Sequence, residues 1–138
     1  MHNNDGLKHG GRVLVCDDNL LIAEIVAEFL RECGLVPMGP VGRLESAMQM
    51  ARERALDGAI LDINLNGRPC FAVCAILSAR RIPFMFLTGY PAARIPVEYR
   101  APLVEKPFES NEMKEILAHM LGLTQGTPLA EHLAHVRH

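Results

Sequence analysis

The sequence predicts an α/β protein built on a parallel sheet. Three observations carry that expectation. Short apolar runs alternate with longer stretches of helical spacing along most of the chain. The runs are continuously apolar, as strands buried on both faces are, and do not alternate like half-exposed strands. Several runs also end on a charged or hydroxyl side chain that a core strand could not accommodate, which marks the strand ends.

The elements follow in order. "RVLVC" (12–16) reads as the first strand and stops at the acid pair Asp17–Asp18. Leu21, Ile22, Ile25, Val26, Phe29 and Leu30 then share one face of a helix, with Asn19 or Asp18 as its cap and Gly34 as its stop. "LVPMG" (35–39) is a short second strand, and Pro37 places it near a sheet edge. Leu44, Ala47, Met48 and Ala51 line a second helix over 43–55. "GAILDINLNG" (58–67) reads as a third strand running through Asp62. A helix over 69–81 carries Pro69 in its first turn. "PFMFLTGY" (83–90) is a fourth strand ending in Thr88. "PLVEKPF" (102–108) is a short fifth strand ending near Lys106. Ser110 to Leu121 is helical, with Met113, Ile116, Leu117, Met120 and Leu121 on one face and Gly122 closing it. Between Thr88 and Lys106 the chain crosses the sheet through Pro91, Pro96 and Pro102, so the fourth crossover helix should be short or distorted. About five strands with right-handed crossovers fit the flavodoxin-like doubly wound order, 2-1-3-4-5.

Size and composition bound the function. The chain has 138 residues, enough for one domain with a real core. Residues 11–122 read as that domain, 1–10 as a flexible leader and 123–138 as a tail. A net charge of -2 makes no electrostatic case for nucleic acid or a membrane surface. No apolar stretch is long enough to span a bilayer, and the leader is not a signal peptide. Cys16, Cys33, Cys70 and Cys74 contain no CxxC pair and read as reduced, mostly buried thiols of a cytoplasmic protein rather than a zinc site. Met38, Met48, Met50, Met85, Met113 and Met120 read as core fillers. In the tail, His132, His135 and His138 are spaced by three, yet histidine spacing alone is a poor sign of ligation.

Ligands of open parallel sheets bind outside the carboxyl ends of the strands. The first strand brings Asp17 and Asp18 there, the third Asp62, the fourth Thr88 and the fifth Lys106. Three clustered carboxylates cannot all stay ionised without a cation. All-oxygen ligation suits Mg²⁺. A carboxylate can act as nucleophile in phosphoryl transfer, with a metal and a fixed positive charge on the transferred oxygens. Asp62 stands alone on the central strand and faces the other two acids, so it is the expected nucleophile, with Asp17 and Asp18 holding the metal. Lys106 supplies the second positive charge and the Thr88 hydroxyl a further hydrogen bond.

The set "VLVCDDN", "AILDINL", "FLTGY" and "VEKPF", in this order, resembles the CheY-like receiver domain of two-component response regulators over about residues 10 to 122. The resemblance implies that Asp62 is the phosphoacceptor. It implies that Asp18 is the direct Mg²⁺ ligand, with Asp17 acting largely through water and with Asp62 itself and the Asn64 backbone carbonyl completing the protein's share. Thr88 would be the switch hydroxyl, Lys106 the phosphate-binding lysine, and Lys106–Pro107 a cis peptide. Typical receivers carry Tyr or Phe three residues before the lysine, where this chain has Leu103. "PFMFLTGYPAARIP" (83–96) resembles the PFxFATGY-signature subfamily, which lacks that aromatic, has a reworked fourth crossover and often works as stand-alone domains with HWE or related histidine kinases. Leu87 and Pro91 depart from its signature. Tyr90 is then the candidate switch aromatic.

The resemblance implies a histidine kinase or phosphotransfer protein as donor, an unidentified downstream partner, and a monomer or weak dimer. It implies a protein that catalyses its own phosphorylation and dephosphorylation and turns over no separate substrate. No effector domain fits after Leu123, so output would pass through a partner or through competition for kinase flux. Two rival readings are a phosphorylation-independent binding module and a small Mg²⁺-dependent phosphohydrolase. Loss of the acids would favour the first. The second usually carries an acid two residues after its nucleophile, where this chain has Asn64.

Overall fold

Val13 to Cys16 are buried consecutively, and their side chains go to opposite sides of the sheet. These residues belong to β1 (Arg12–Cys16), seen in a computed structural model that describes residues 10–89, 95–99 and 101–122. The other elements are α1 (Leu20–Glu32), β2 (Val36–Val41), α2 (Leu44–Glu53), β3 (Gly58–Leu61), β4 (Asn64–Leu65), β5 (Arg68–Pro69), α3 (Phe71–Ala79), β6 (Phe84–Thr88), β7 (Leu103–Glu105) and α4 (Ser110–Gly122).

The main sheet is parallel in the order β2-β1-β3-β6-β7. That is the expected 2-1-3-4-5 order, counting its strands along the chain. Val13 and Val15 join Ile60, Met85, Leu87 and Val104 under α1 and α4. Leu14 and Cys16 join Ala59, Leu61, Phe84 and Phe86 under α2 and α3. Full burial of a Val, Leu, Ile, Phe or Met side chain stabilises by roughly 1.5–3 kcal/mol, so the two layers together dominate the fold.

Local signals account for the boundaries. Asn19, not Asp18, caps α1, its side-chain oxygen accepting from the Leu21 and Ile22 N–H groups at 3.1 and 3.2 Å. Gly34, at φ +82°, turns the chain out of that helix. β2 is an edge strand, as Pro37 required. Its register against β1 shifts between Leu14 and Cys16, where Gly39 takes φ +94° and the Gly39–Pro40 peptide is cis. Glu109 receives the Asn111 and Glu112 N–H groups, both at 2.9 Å, at the start of α4.

Four expectations need correction. Leu21 and Ile25 do not face the core: they are 71% and 51% exposed, beside Leu20 at 69%. Ala23 and Ala27 join the expected Val26, Phe29 and Leu30 on that side, because small side chains let the helix lie close on the sheet. The third strand does not run to residue 67. It ends at Leu61, and an antiparallel hairpin, β4–β5, follows. Pro69 therefore sits in β5, Cys70 precedes the helix, and α3 starts at Phe71. The fifth strand is only Leu103–Glu105.

The described residues of the fourth crossover contain a turn around Val97–Glu98 and no helix, with Ile95 and Tyr99 packed against the α2–α3 layer. The expected short or distorted helix there falls partly on residues outside the described set. So do Tyr90, the tail histidines and nearly all of the leader. Cys16, Cys70 and Cys74 are buried and Cys33 is half-buried.

Candidate functional site

Two ladder bonds place the acids. The Asp17 N–H donates to Val41 O at 3.0 Å, and the Asp62 N–H donates to Cys16 O at 2.8 Å. Each acid is therefore the first residue past its strand, still held by the neighbouring strand. Asp17 and Asp62 are 3% and 4% exposed. Asp18 is half-buried. One carboxylate oxygen from each of Asp17, Asp18 and Asp62 falls within 4.8 Å of the others.

Lys106 reaches this cluster from the next strand end. Its N–H donates to Thr88 O at 2.9 Å, and its Nζ lies 2.7 Å from Asp17 Oδ2 and 3.0 Å from Asp62 Oδ2. The Lys106–Pro107 peptide is cis, as the resemblance implied. Thr88 is fully buried at the end of β6, paired with Glu105. Leu103 opens β7, half-buried against the α2–α3 layer.

The charges do not balance. Burial pushes the Asp17 carboxyl above its ordinary range, and the hydrogen bonds from Lys106 and the Asn19 N–H only partly offset that. Burial is also the strongest single influence on Lys106 and pulls its ammonium down. The hydrogen bonds to Asp17 and Asp62, with their charges, outweigh it, and the net shift is upward. The causes differ: burial raises Asp17, whereas the two carboxylates that Lys106 touches raise the lysine. The lysine gains more negative charge than it needs, while Asp17 receives less positive charge than its burial demands. A small hard cation fits this all-oxygen donor set and would restore the balance.

Sequence reasoning missed three supporting parts. Asn66 and Gly67 form the turn of the β4–β5 hairpin, at φ +55° and +83°, the positive pair that a type I′ turn requires. The Asn66 N–H donates to Asp18 Oδ2 at 2.7 Å, and its side-chain amide donates to Gly42 O at 3.3 Å. The Asn-Gly dipeptide was the available signal. Asn19 was expected as a helix cap, but its N–H also donates to Asp17 Oδ1 at 2.9 Å. Gly42 passes behind the acid pair, where a Cβ would stand 3.1 Å from Asp18 Cα and 3.2 Å from Asp17 O.

Asn64 sits opposite Pro69 in the hairpin, one step from the Cys70 N–H bond to Ile63 O. Antiparallel pairs alternate between bonded and non-bonded, so the Asn64 backbone groups turn away from β5. Its N–H goes to Asp62 Oδ1 at 3.4 Å, which puts the residue's backbone polar groups on the acid side.

Comparison with known proteins agrees with this geometry. The family model described as "Response regulator receiver domain" matches residues 13–118. The transcriptional regulatory protein PdtaR of Mycobacterium tuberculosis is 31% identical over 80 residues, 57% of this chain and 39% of that protein. The chain thus matches less than half the length of that curated relative. The solution structure of SdrG from Sphingomonas melonis superposes with a TM-score of 0.73 at 32% identity, covering 83% of this chain and 99% of that one. The anti-anti-sigma factor PhyR of Bartonella quintana gives 0.71 at 27% identity, covering 84% of this chain and 50% of that one. With its family model spanning both layers of the core and every acid of the cluster, the chain belongs to the response regulator receiver domain family.

Proposed function

We propose that this chain accepts a phosphoryl group from a phosphohistidine onto Asp62, with Mg²⁺, and signals through the phosphorylated form. The observation that carries the reading is the Lys106 ammonium held between Asp17 and Asp62 inside a cluster of three carboxylates. Lys106 Nζ takes Asp62 Oδ2, which leaves Oδ1, with only the long Asn64 contact, as the freer oxygen for attack. That oxygen bonds to phosphorus as the phosphorus–nitrogen bond breaks, and the electron pair leaves on the imidazole nitrogen, which takes up a proton. Asp17, Asp18 and the Asn64 carbonyl would hold Mg²⁺, which when bound neutralises the charge developing on the phosphoryl oxygens. Lys106 would move with its charge onto one of those oxygens, and Thr88 would bond another. The chain would catalyse its own phosphorylation and its later hydrolysis and turn over no separate substrate.

The donor must bring its histidine to the rim of the strand ends. Leu20, Leu21 and Ile25 form an exposed apolar edge on α1, directly after the acid pair, and suit docking of a histidine kinase or phosphotransfer protein. The PFxFATGY resemblance supports reading the chain as a stand-alone cytoplasmic receiver served by an HWE-type kinase, and the likeness to the anti-anti-sigma factor PhyR supports an output partner of the anti-sigma kind. Among the described residues no helix is long and apolar enough to cross a membrane.

The test is intact-protein mass after incubation with acetyl phosphate, with and without Mg²⁺, beside Asp62→Asn. One base-labile phosphoryl adduct that requires both Mg²⁺ and Asp62 is the expected result. Continuous release of phosphate without an adduct would instead favour a phosphohydrolase. No adduct from acetyl phosphate or from any phosphohistidine donor would favour a binding module.

A further inference from the structure

The β4–β5 hairpin stands between the proposed acceptor, Asp62, and α3, and its turn does more than connect them. Asn66 presents its N–H to Asp18 Oδ2 at 2.7 Å, across 48 residues of sequence. Its side-chain amide reaches Gly42 O, and Gly42 itself lies against the backbone of Asp17 and Asp18. Inside the hairpin, the Gly67 N–H donates to Asn64 Oδ1 at 2.6 Å. On its outer flank, Arg68 pairs with Glu45 of α2. The turn is thus anchored on both sides of the acid pair.

We propose that the Asn66–Gly67 turn is a positioning device for Asp18, and that Asn66 sets the affinity of the acid cluster for its divalent cation. The proposal rests on the phosphoacceptor reading above. A carboxylate beside a turn can rotate, and each rotation moves its ligand oxygen. With Oδ2 held by a backbone N–H, the plane of the Asp18 carboxylate is set and the other oxygen remains for a cation. The N–H points at Asp18 only while Asn66 keeps its left-handed backbone. Asn adopts that conformation readily and Gly without steric penalty, whereas a β-branched residue does so only under strain. Asn66 is therefore a positioning residue rather than a ligand, and the important property is its backbone geometry.

The experiment is an amide NMR titration of the full chain with Mg²⁺, comparing wild type, Asn66→Gly and Asn66→Val. Urea unfolding in EDTA runs alongside. The expected result is saturable binding by wild type, affinity within about threefold for Asn66→Gly, and a loss of about tenfold for Asn66→Val, as removal of a hydrogen bond to a charged group would give. A turn that served only the fold would lower the urea midpoint of Asn66→Val yet leave the cation affinity of the folded protein unchanged, and that outcome overturns the proposal. Equal loss in the Gly and Val variants also overturns it, since the side chain and not the turn geometry would then be responsible. Should Asn66→Val not fold, Asn66→Ala carries the same test with a smaller expected loss. If wild type itself shows no saturable shift, the cation reading falls and this proposal with it. If wild type saturates and Asn66→Val matches it, only this proposal falls.

Discussion

Lys106 Nζ stands 2.7 Å from Asp17 Oδ2, closer than it stands to Asp62, the proposed acceptor. The lysine is therefore shared, and its stronger hold is on the acid that does not react. Phosphorylation of Asp62 would draw Nζ toward the new oxygens and loosen its grip on Asp17. Asp17 would then depend more on the cation.

Removal of that ammonium tests the charge balance directly. Lys106→Met should destabilise the cation-free protein by about 2–3 kcal/mol, because two buried carboxylates lose their common partner. Added Mg²⁺ should recover more stability in this variant than in wild type. Thermal melts with EDTA and with Mg²⁺ measure both effects.

Removal of a carboxylate should act in the opposite sense. Asp62→Asn keeps an oxygen for Lys106 and deletes one negative charge from the cluster. In EDTA it should be more stable than wild type by about 1 kcal/mol, and that advantage should shrink in Mg²⁺. Urea unfolding under the two conditions gives the comparison.

The pH dependence follows from the directions of two shifts. The folded pKa of Asp17 lies above its unfolded value near 3.8, so the folded state holds this proton more tightly. The corresponding stability is fully present below 3.8 and is lost as pH rises through the folded pKa. Lys106 is raised above 10.5, so its contribution is fully present below 10.5 and is lost as pH climbs through the folded pKa. Without a divalent cation, the Asp17 part of the curve should fall with rising pH. With Mg²⁺ that fall should be removed, because the cation binds the ionised acid. Urea midpoints across pH, with and without Mg²⁺, check this.

Gly42 offers a test from behind the site. A methyl group there would press on the backbone of Asp17 and Asp18 at 3.1–3.2 Å. Gly42→Ala should cost about 1–2 kcal/mol and weaken Mg²⁺ binding together, since the neighbour that must give is the acid pair itself.

The exposed edge of α1 separates chemistry from docking. Leu21→Gln with Ile25→Gln should leave labelling by acetyl phosphate unchanged, because neither side chain belongs to the acid cluster. Transfer from a phosphohistidine donor should slow at least tenfold if these residues carry the contact. Parallel labelling by the two donors reads the difference.

Most of this was legible in the sequence. Asp17, Asp18, Asp62, Thr88 and Lys106 are unsuited to core strands and fall where buried runs end, so the fold order and the site could be read together. The hairpin was hidden because Leu65 prolongs the apolar run after Asp62, while Pro69 suits either a first helical turn or a short outer strand. Only the Asn66–Gly67 pair marked the reversal. Leu21 and Ile25 were misplaced because α1 is apolar over more than one face. Periodicity shows that such a stripe exists but not which part of it the sheet covers. Gly42 carried no sequence signal, since close backbone approach between distant segments appears only in three dimensions.

The alternation along β1 explains why adjacent acids can coexist. Odd-numbered residues of the strand look toward α1 and α4, even-numbered ones toward α2 and α3. The same parity carries past the strand end: Asp17 meets the lysine that precedes α4, and Asp18 meets the hairpin that precedes α3. Neighbours in the chain are thus assigned to different partners. Deleting any single residue of β1 would exchange those assignments as well as the two cores, whereas removing two in register would preserve them. The strand works as an odd–even code, and the two carboxylates are its last two digits.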